Sequence, residues 1–207
     1  MDISRLLAGG FVGFIRNAIG ITVRPYETYR RISKTNNLWE LPYIGLLLAA
    51  YFANASLVKT AAFRPYLLTR QFFILGSAAA GTFILASYLF WYFARRLGGT
   101  GLYRNLVVGW AYTLIPTVVW FWTTSILYVL IPPPRTTSSA GIVFSVLFLV
   151  FSATLFFWKI VLCYLAVRFS MRLDLGKILV TTGLAGIFLV PYGILMYKAG
   201  IFKIPFI

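Results

Sequence analysis

Residues 142–167 of this chain read IVFSVLFLVFSATLFFWKIVLCYLAV, a continuous apolar stretch that contains one charged residue, Lys159. A helix needs roughly 20 apolar residues to cross the hydrocarbon core of a bilayer, so this stretch predicts a transmembrane helix. The apolarity is continuous and does not alternate, which is unlike the strands of a transmembrane β-barrel. The sequence therefore predicts a fold built from helices that cross the membrane.

Four more stretches have the same character and are joined by short loops: residues 41–63, 72–94, 106–131 and 178–197. The composition agrees, because 60% of the residues are hydrophobic and only 11% are charged, whereas soluble domains carry about a quarter charged residues. We expect an all-α, polytopic integral membrane protein with five transmembrane helices, formed by one domain over residues 39–207.

The N-terminal segment, residues 1–38, is predicted to be amphipathic, basic and interfacial. Its apolar run, residues 3–23, contains Arg16 and four glycines, and on a helix Leu7, Phe11, Phe14 and Ile15 fall on one side. This pattern favours a helix lying in the headgroup plane. A helix packed on the spans fits the same pattern. A short cationic helix is expected to begin at Pro25.

The distribution of cations predicts the orientation of the chain. With a cytoplasmic N-terminus, twelve cations lie inside and six outside, a bias that follows the positive-inside rule. The inside set is Arg5, Arg16, Arg24, Arg30, Arg31, Lys34, Arg95, Arg96, Arg104, Arg168, Arg172 and Lys177; the outside set is Lys59, Arg64, Arg70, Arg135, Lys198 and Lys203. The C-terminus is then outside. Short loops favour a prokaryotic cytoplasmic (inner) membrane.

The rare residue types exclude several kinds of site. The chain has no histidine, one cysteine (Cys163) and four acidic residues. Histidine-ligated haem, the usual zinc sites and His-dependent nucleophilic catalysis lose an essential side chain. We therefore expect no enzyme activity, no cofactor and no metal. Nucleic acid is not an expected partner either, because the cations lie between apolar segments, where phospholipid headgroups are.

Two polar residues inside predicted spans are candidate contact sites. Lys159 is costly in lipid and by default indicates a functional or paired charge, although it lies close enough to the cytoplasmic interface for partial snorkelling. Asn54 can donate hydrogen bonds to another helix or partner. For both residues, a structural role and a ligand or partner role stay open.

A second group of residues is expected to shape helix packing. Ser77 and Gly81 form a small-xxx-small pair that permits close helix approach, and Gly109 lies in the third span. Pro116 and Pro191 each remove a backbone donor, so we expect kinks there.

The cations that flank the spans on the inside form the broadest candidate site. They are expected to contact lipid headgroups or an acidic partner, although topology alone would also explain them. The nine candidates are Arg30, Arg31, Lys34, Arg95, Arg96, Arg104, Arg168, Arg172 and Lys177.

The order of these elements resembles that of the Yip family of five-span, Rab/Ypt-interacting membrane proteins, in its compact prokaryotic form. Pro25, Thr28 and Ile32 match a proline-led motif before the first span, and Gly109-Trp110 with Pro116 matches a central-span pattern. The eukaryotic Asp-Leu-Tyr-Gly-Pro signature is absent; residues 39–43, Trp-Glu-Leu-Pro-Tyr, occupy the comparable place. The resemblance implies a five-span fold but no defined activity.

These observations predict a non-enzymatic membrane scaffold or accessory subunit. It would act through helix–helix and lipid contacts, with other membrane subunits or further copies of itself as partners. The alternative is a small transporter or channel for a lipid or another hydrophobic or anionic solute. In that case Lys159, Asn54, Pro116 and Pro191 would line the route.

Overall fold

The fold is all-α over the residues that the computed structural model describes, 3–35, 37–59, 65–130 and 139–201, which confirms the predicted class. A 3₁₀ turn, Leu38–Glu40, lies between the second and third α-helices. The α-helices are α1 Ile3–Val23, α2 Pro25–Thr35, α3 Leu41–Lys59, α4 Pro65–Arg96, α5 Tyr103–Tyr112, α6 Ile115–Leu130, α7 Ser139–Met171 and α8 Leu175–Lys198.

Five segments of the described chain are long and apolar enough to cross a membrane: Ser4–Val23, Phe72–Arg96, Tyr103–Leu127, Gly141–Met171 and Leu175–Lys198. The number agrees with the prediction. Most of α1, predicted to be interfacial, is among these segments, and the stretch predicted at residues 41–63 ends outside the described residues. The interfacial position of α1 and the spanning role of α3 therefore stay predictions.

The apolar side of α1 mostly faces away from the rest of the bundle. Leu7, Phe11 and Ile15 are exposed, and of the predicted set only Phe14 is buried. The packed face includes Gly10 and Asn17, with α1 lying against the 3₁₀ turn, α2 and α3. Only a glycine permits so close a contact at position 10, because a Cβ there would lie 2.4 Å from the Trp39 carbonyl oxygen.

The third predicted span is broken into α5 and α6 instead of kinked. The chain turns at Thr113 and Leu114, where the Thr113 amide donates to the Trp110 carbonyl (3.0 Å). Pro116, buried in the first turn of α6, lacks the amide that would continue the helical ladder to the Tyr112 carbonyl. Val118 resumes the ladder by donating to Leu114 (2.8 Å).

The α4–α5 and α7–α8 loops meet at one end of the bundle. The Thr100 amide donates to the Met171 carbonyl (3.2 Å). Gly101 is needed there, because a Cβ would lie 1.8 Å from the Ser170 carbonyl oxygen. At this end α2 packs on α5 and α7, and buries Tyr29 and Ile32. The structure therefore brings together the three segments that carry the predicted inside cations.

Candidate functional site: a buried polar network and a cationic groove

Glu40, the last residue of the 3₁₀ turn, is the centre of a buried polar network. Its side chain is 3% exposed, and its Oε2 accepts from Asn17 Nδ2 (2.8 Å) and from the Tyr112 hydroxyl (2.5 Å). Arg31 extends the network by donating from Nε (3.2 Å) and from its terminal nitrogen (2.8 Å) to Asn17 Oδ1. We call these four side chains the Glu40 network; they connect α1, α2, the 3₁₀ turn and α5.

Small residues on α1 make the network possible. A Cβ on Gly13 would lie 2.6 Å from Glu40 Oε1, and one on Gly20 would lie 2.5 Å from the Thr28 hydroxyl oxygen. The glycines of α1, which weaken an isolated helix, here let it approach a carboxylate and α2 closely. Asn17 relays between the Glu40 carboxylate and the Arg31 guanidinium, so opposite charges compensate each other across one amide.

Tyr29 is buried beside this network with its hydroxyl unpaired in the described part of the chain. Burial raises the pKa of Tyr29 well above its usual range, and the nearby Cys163 and Tyr112 side chains raise it further. Tyr29 is therefore a neutral phenol at physiological pH.

A second feature at the same end is a groove with a volume of about 620 Å³. It is bounded by α2, the end of α7 and the turn into α8, with Asn105 of α5 also lining it. We call it the cationic groove, because its charged lining is Arg30, Lys34, Arg168 and Arg172 with Asp174 as the only acidic residue. Four of the nine predicted cations thus converge on one site.

The remaining predicted cations are placed differently. Arg31 belongs to the Glu40 network. Arg95 and Arg96 lie over the rings of Trp91 (5.7 Å) and Tyr92 (5.2 Å) at the end of α4. Arg104 and Lys177 are exposed at the same end of the bundle, and Lys177 Nζ lies 3.6 Å from where a Gly98 Cβ would be.

The model of the Yip1 domain matches residues 19–196 of this chain. The chain belongs to the Yip1 domain family. The predicted family resemblance is thereby confirmed, and the chain is a multi-pass membrane protein. Neither a curated protein nor a solved structure matches it significantly.

Most of the residues that carried the resemblance lie in the packed interior of this Yip1 family member. Thr28 and Ile32 are buried in α2 at 3% and 1% exposure. Gly109 lies where α5 approaches α7, because its Cβ would lie 3.0 Å from Ser170 Oγ. The motif residues therefore hold α2 and α5 on the bundle, and the matched region includes Glu40 and all four cations of the groove.

Lys159 has a partner inside the chain. Its Nζ donates to the Thr117 hydroxyl (2.8 Å), which connects α7 to the first turn of α6. The acceptor of this hydrogen bond is a neutral hydroxyl and not a carboxylate. Asn54, the other predicted polar residue in a span, is partly buried on α3.

Some of the residues predicted to shape helix packing contact no other helix of the described chain. Ser77 and Gly81 are both exposed on α4, and no atom of another described helix lies within 4 Å of where a Gly81 Cβ would be. This pair therefore makes no close helix contact within the described chain. Pro191 is exposed, and α8 continues through it without interruption.

Sequence reasoning missed the Glu40 network. Nothing in the sequence groups Glu40 with Asn17 and Tyr112, which lie 23 and 72 positions from it. A signal existed in the Trp39-Glu40-Leu41-Pro42 step, which places an acid directly before a membrane helix in a chain with four acids. In the described residues no group of three or more His, Cys, Asp or Glu side chains could hold a metal ion.

Proposed function

We propose that this chain is a non-enzymatic membrane scaffold or accessory subunit that works through lipid and helix contacts in a larger assembly. Its N-terminus and the end that carries the cationic groove face the cytoplasm of a prokaryotic inner membrane, and its C-terminus lies outside. Membership of the Yip1 domain family supports a membrane-associated role. The observation that carries the assembly part is the open small-residue face of α4.

This face contains Ser77 and Gly81 with the exposed side chains of Phe73, Ile84 and Tyr88. Exposed apolar side chains alone indicate only contact with lipid. Two small residues four positions apart add a shallow groove, in which another helix can bring its backbone close and gain van der Waals contact. Because no helix of the described chain fills this groove, a helix from another subunit or copy fits it.

The contact of Lys159 with Thr117 favours the scaffold function over the transporter alternative. One of the three N–H donors of this Nζ is used across the α6–α7 interface. This contact supports a structural role for Lys159 as a link between two helices.

The test is extraction in a mild detergent followed by native mass spectrometry of Gly81→Leu and the wild type. We expect the wild type to be recovered as an oligomer or with a stoichiometric partner. Gly81→Leu should be recovered as a monomer without that partner, because leucine fills the helix-contact groove. Ala153→Leu is the control, since Ala153 is also an exposed small residue on a long apolar helix, α7. A monomeric wild type without partners, or equal assembly of both variants, would overturn the proposal.

A further inference from the structure

We propose that the cationic groove binds the phosphate-bearing headgroup of an anionic membrane phospholipid. The inference deepens the lipid-contact part of the proposed function and rests on it, but it does not depend on the helix contact at Gly81.

The first argument is uncompensated charge. Within the part of the chain that the structure describes, no carboxylate lies within 4 Å of Arg30, Lys34 or Arg172. The fourth cation, Arg168, donates to the Tyr164 hydroxyl and lies over its ring. Folding thus gathers four like charges from two helices and a turn around one opening. Arginine and lysine side chains bind phosphate through charge-assisted hydrogen bonds.

The second argument is the local conformation of Arg172. It has a φ of 56°, and it directly follows the last residue of α7. Glycine is the residue usually found at such a left-handed helix end, since other side chains are strained there. An arginine at this position costs stability, and the contacts of the α4–α5 loop with Ser170 and Met171 hold the chain end in place. Its side chain lines the groove, and backbone strain of this kind is typical of residues at ligand-binding sites.

The third argument separates a lipid from a free phosphate. One wall of the groove is apolar: the rings of Tyr26 and Phe169 pack edge to face, with centroids 4.8 Å apart, and Leu173 lies beside them. Tyr26 is half exposed, as is typical of aromatic residues at the membrane interface. A headgroup phosphate can meet the cations while the glycerol and upper acyl chains contact this wall. A free phosphate would use the cations only.

The experiment measures lipid retention by the full-length protein. Protein purified in a mild detergent is titrated with phosphatidylglycerol or phosphatidylcholine, and bound lipid is counted by native mass spectrometry. We expect phosphatidylglycerol to bind preferentially, and the double variant Arg30→Gln/Arg172→Gln to weaken it about tenfold or more. The matched control is Arg16→Gln/Arg24→Gln, which removes the same charge from two exposed cations outside the groove and should change binding less than about threefold.

A variant that strengthens binding keeps the test independent of folding defects. Asp174 is exposed, lines the groove and precedes α8 without a side-chain cap hydrogen bond, so Asp174→Asn should tighten phosphatidylglycerol binding a few-fold. Equal binding by the groove and control variants, no preference for phosphatidylglycerol, or displacement of the lipid by millimolar inorganic phosphate would overturn the inference. A wild type that assembles but shows no preference for phosphatidylglycerol refutes only this inference. A wild type that binds phosphatidylglycerol but is monomeric and without partners refutes only the helix-contact proposal.

Discussion

The Glu40 network and the Lys159–Thr117 contact both hold a charged side chain inside the helix bundle, but they satisfy it in different ways. Glu40 accepts from two side chains, and one of these, Asn17, also binds Arg31. The network joins three helices and the 3₁₀ turn. Lys159 has one neutral partner on one neighbouring helix. The unusual residue in the sequence is Lys159, whereas the residue with the greater structural consequence is Glu40.

The physical reason is connectivity. Removing one member of a buried network leaves each of its partners without a hydrogen bond, so the cost is larger than that of one bond. A lysine with a single hydroxyl partner has a long flexible stem, which can carry the charge toward the interface when the partner is lost. The following substitutions test this difference, from the largest expected effect to the smallest.

Glu40→Ala should produce the largest loss of stability. It removes the acceptor of Asn17 and of the Tyr112 hydroxyl and leaves the Arg31 charge without compensation, for an expected cost of about 3–5 kcal/mol in the free energy of unfolding. The measurement is SDS-induced unfolding in detergent micelles. Glu27→Ala is the control of the same residue type, because Glu27 is 70% exposed in its pair with Arg24 and should cost less than about 1 kcal/mol. Similar costs for both would show that the network contributes little.

Gly13→Ala should cost about 1–3 kcal/mol, because the added methyl group would lie 2.6 Å from Glu40 Oε1 in a side chain held by two hydrogen bonds. Gly9→Ala on the same helix meets no atom within 4 Å and should be neutral or stabilise the helix by up to about 1 kcal/mol. The same unfolding assay compares them. In a Glu40→Ala background the penalty at Gly13 should nearly vanish; a penalty that persists there would mean that the strain lies elsewhere.

Lys159→Met should change stability by only about 1 kcal/mol, since it removes one hydrogen bond within the membrane and keeps the length of the side chain. Oligomer or partner recovery in mild detergent should stay intact. Thr117→Val, which removes the acceptor, should have an equally small effect if the lysine can relocate its charge. A loss as large as that of Glu40→Ala would break the comparison, and lost solute flux with intact assembly would favour the transporter alternative.

The apolar helices and the grouping of cations could be predicted from the sequence, because they depend on properties of consecutive residues. Long apolar stretches identify the helices, and alternating loops place Arg30, Arg168 and Arg172 at one end. The partners of individual side chains could not be predicted in this way. Asn17 and Tyr112 are 23 and 72 positions from Glu40, and nothing local indicates that they meet.

Two further features of the structure could not be predicted for the same reason, because they depend on contacts between distant residues. The helical pattern of α1 separated an apolar side from a polar one but did not indicate which side meets the bundle; the packed side is the one where Gly10 and Gly13 allow close approach. The spacing of Ser77 and Gly81 predicts a surface for close helix packing, but spacing does not specify which helix uses it. Within the described chain none does.

Tyr29→Phe should have an effect at neutral pH no larger than that of Lys159→Met, and it should be stabilising. The substitution removes a buried hydroxyl that has no partner in the described residues, and relieving that desolvation is worth about 1 kcal/mol. The pKa of Tyr29 is raised by burial, so folding favours the neutral phenol, and an unfolded tyrosine ionises near pH 10. Stability from this group is therefore complete below about pH 10 and is lost as the pH rises above that value. Unfolding curves between neutral pH and about pH 11 should show the wild type losing stability faster than Tyr29→Phe at the alkaline end; parallel losses would mean that the Tyr29 hydroxyl ionises as easily in the folded protein as in the unfolded one, and so is not buried away from water.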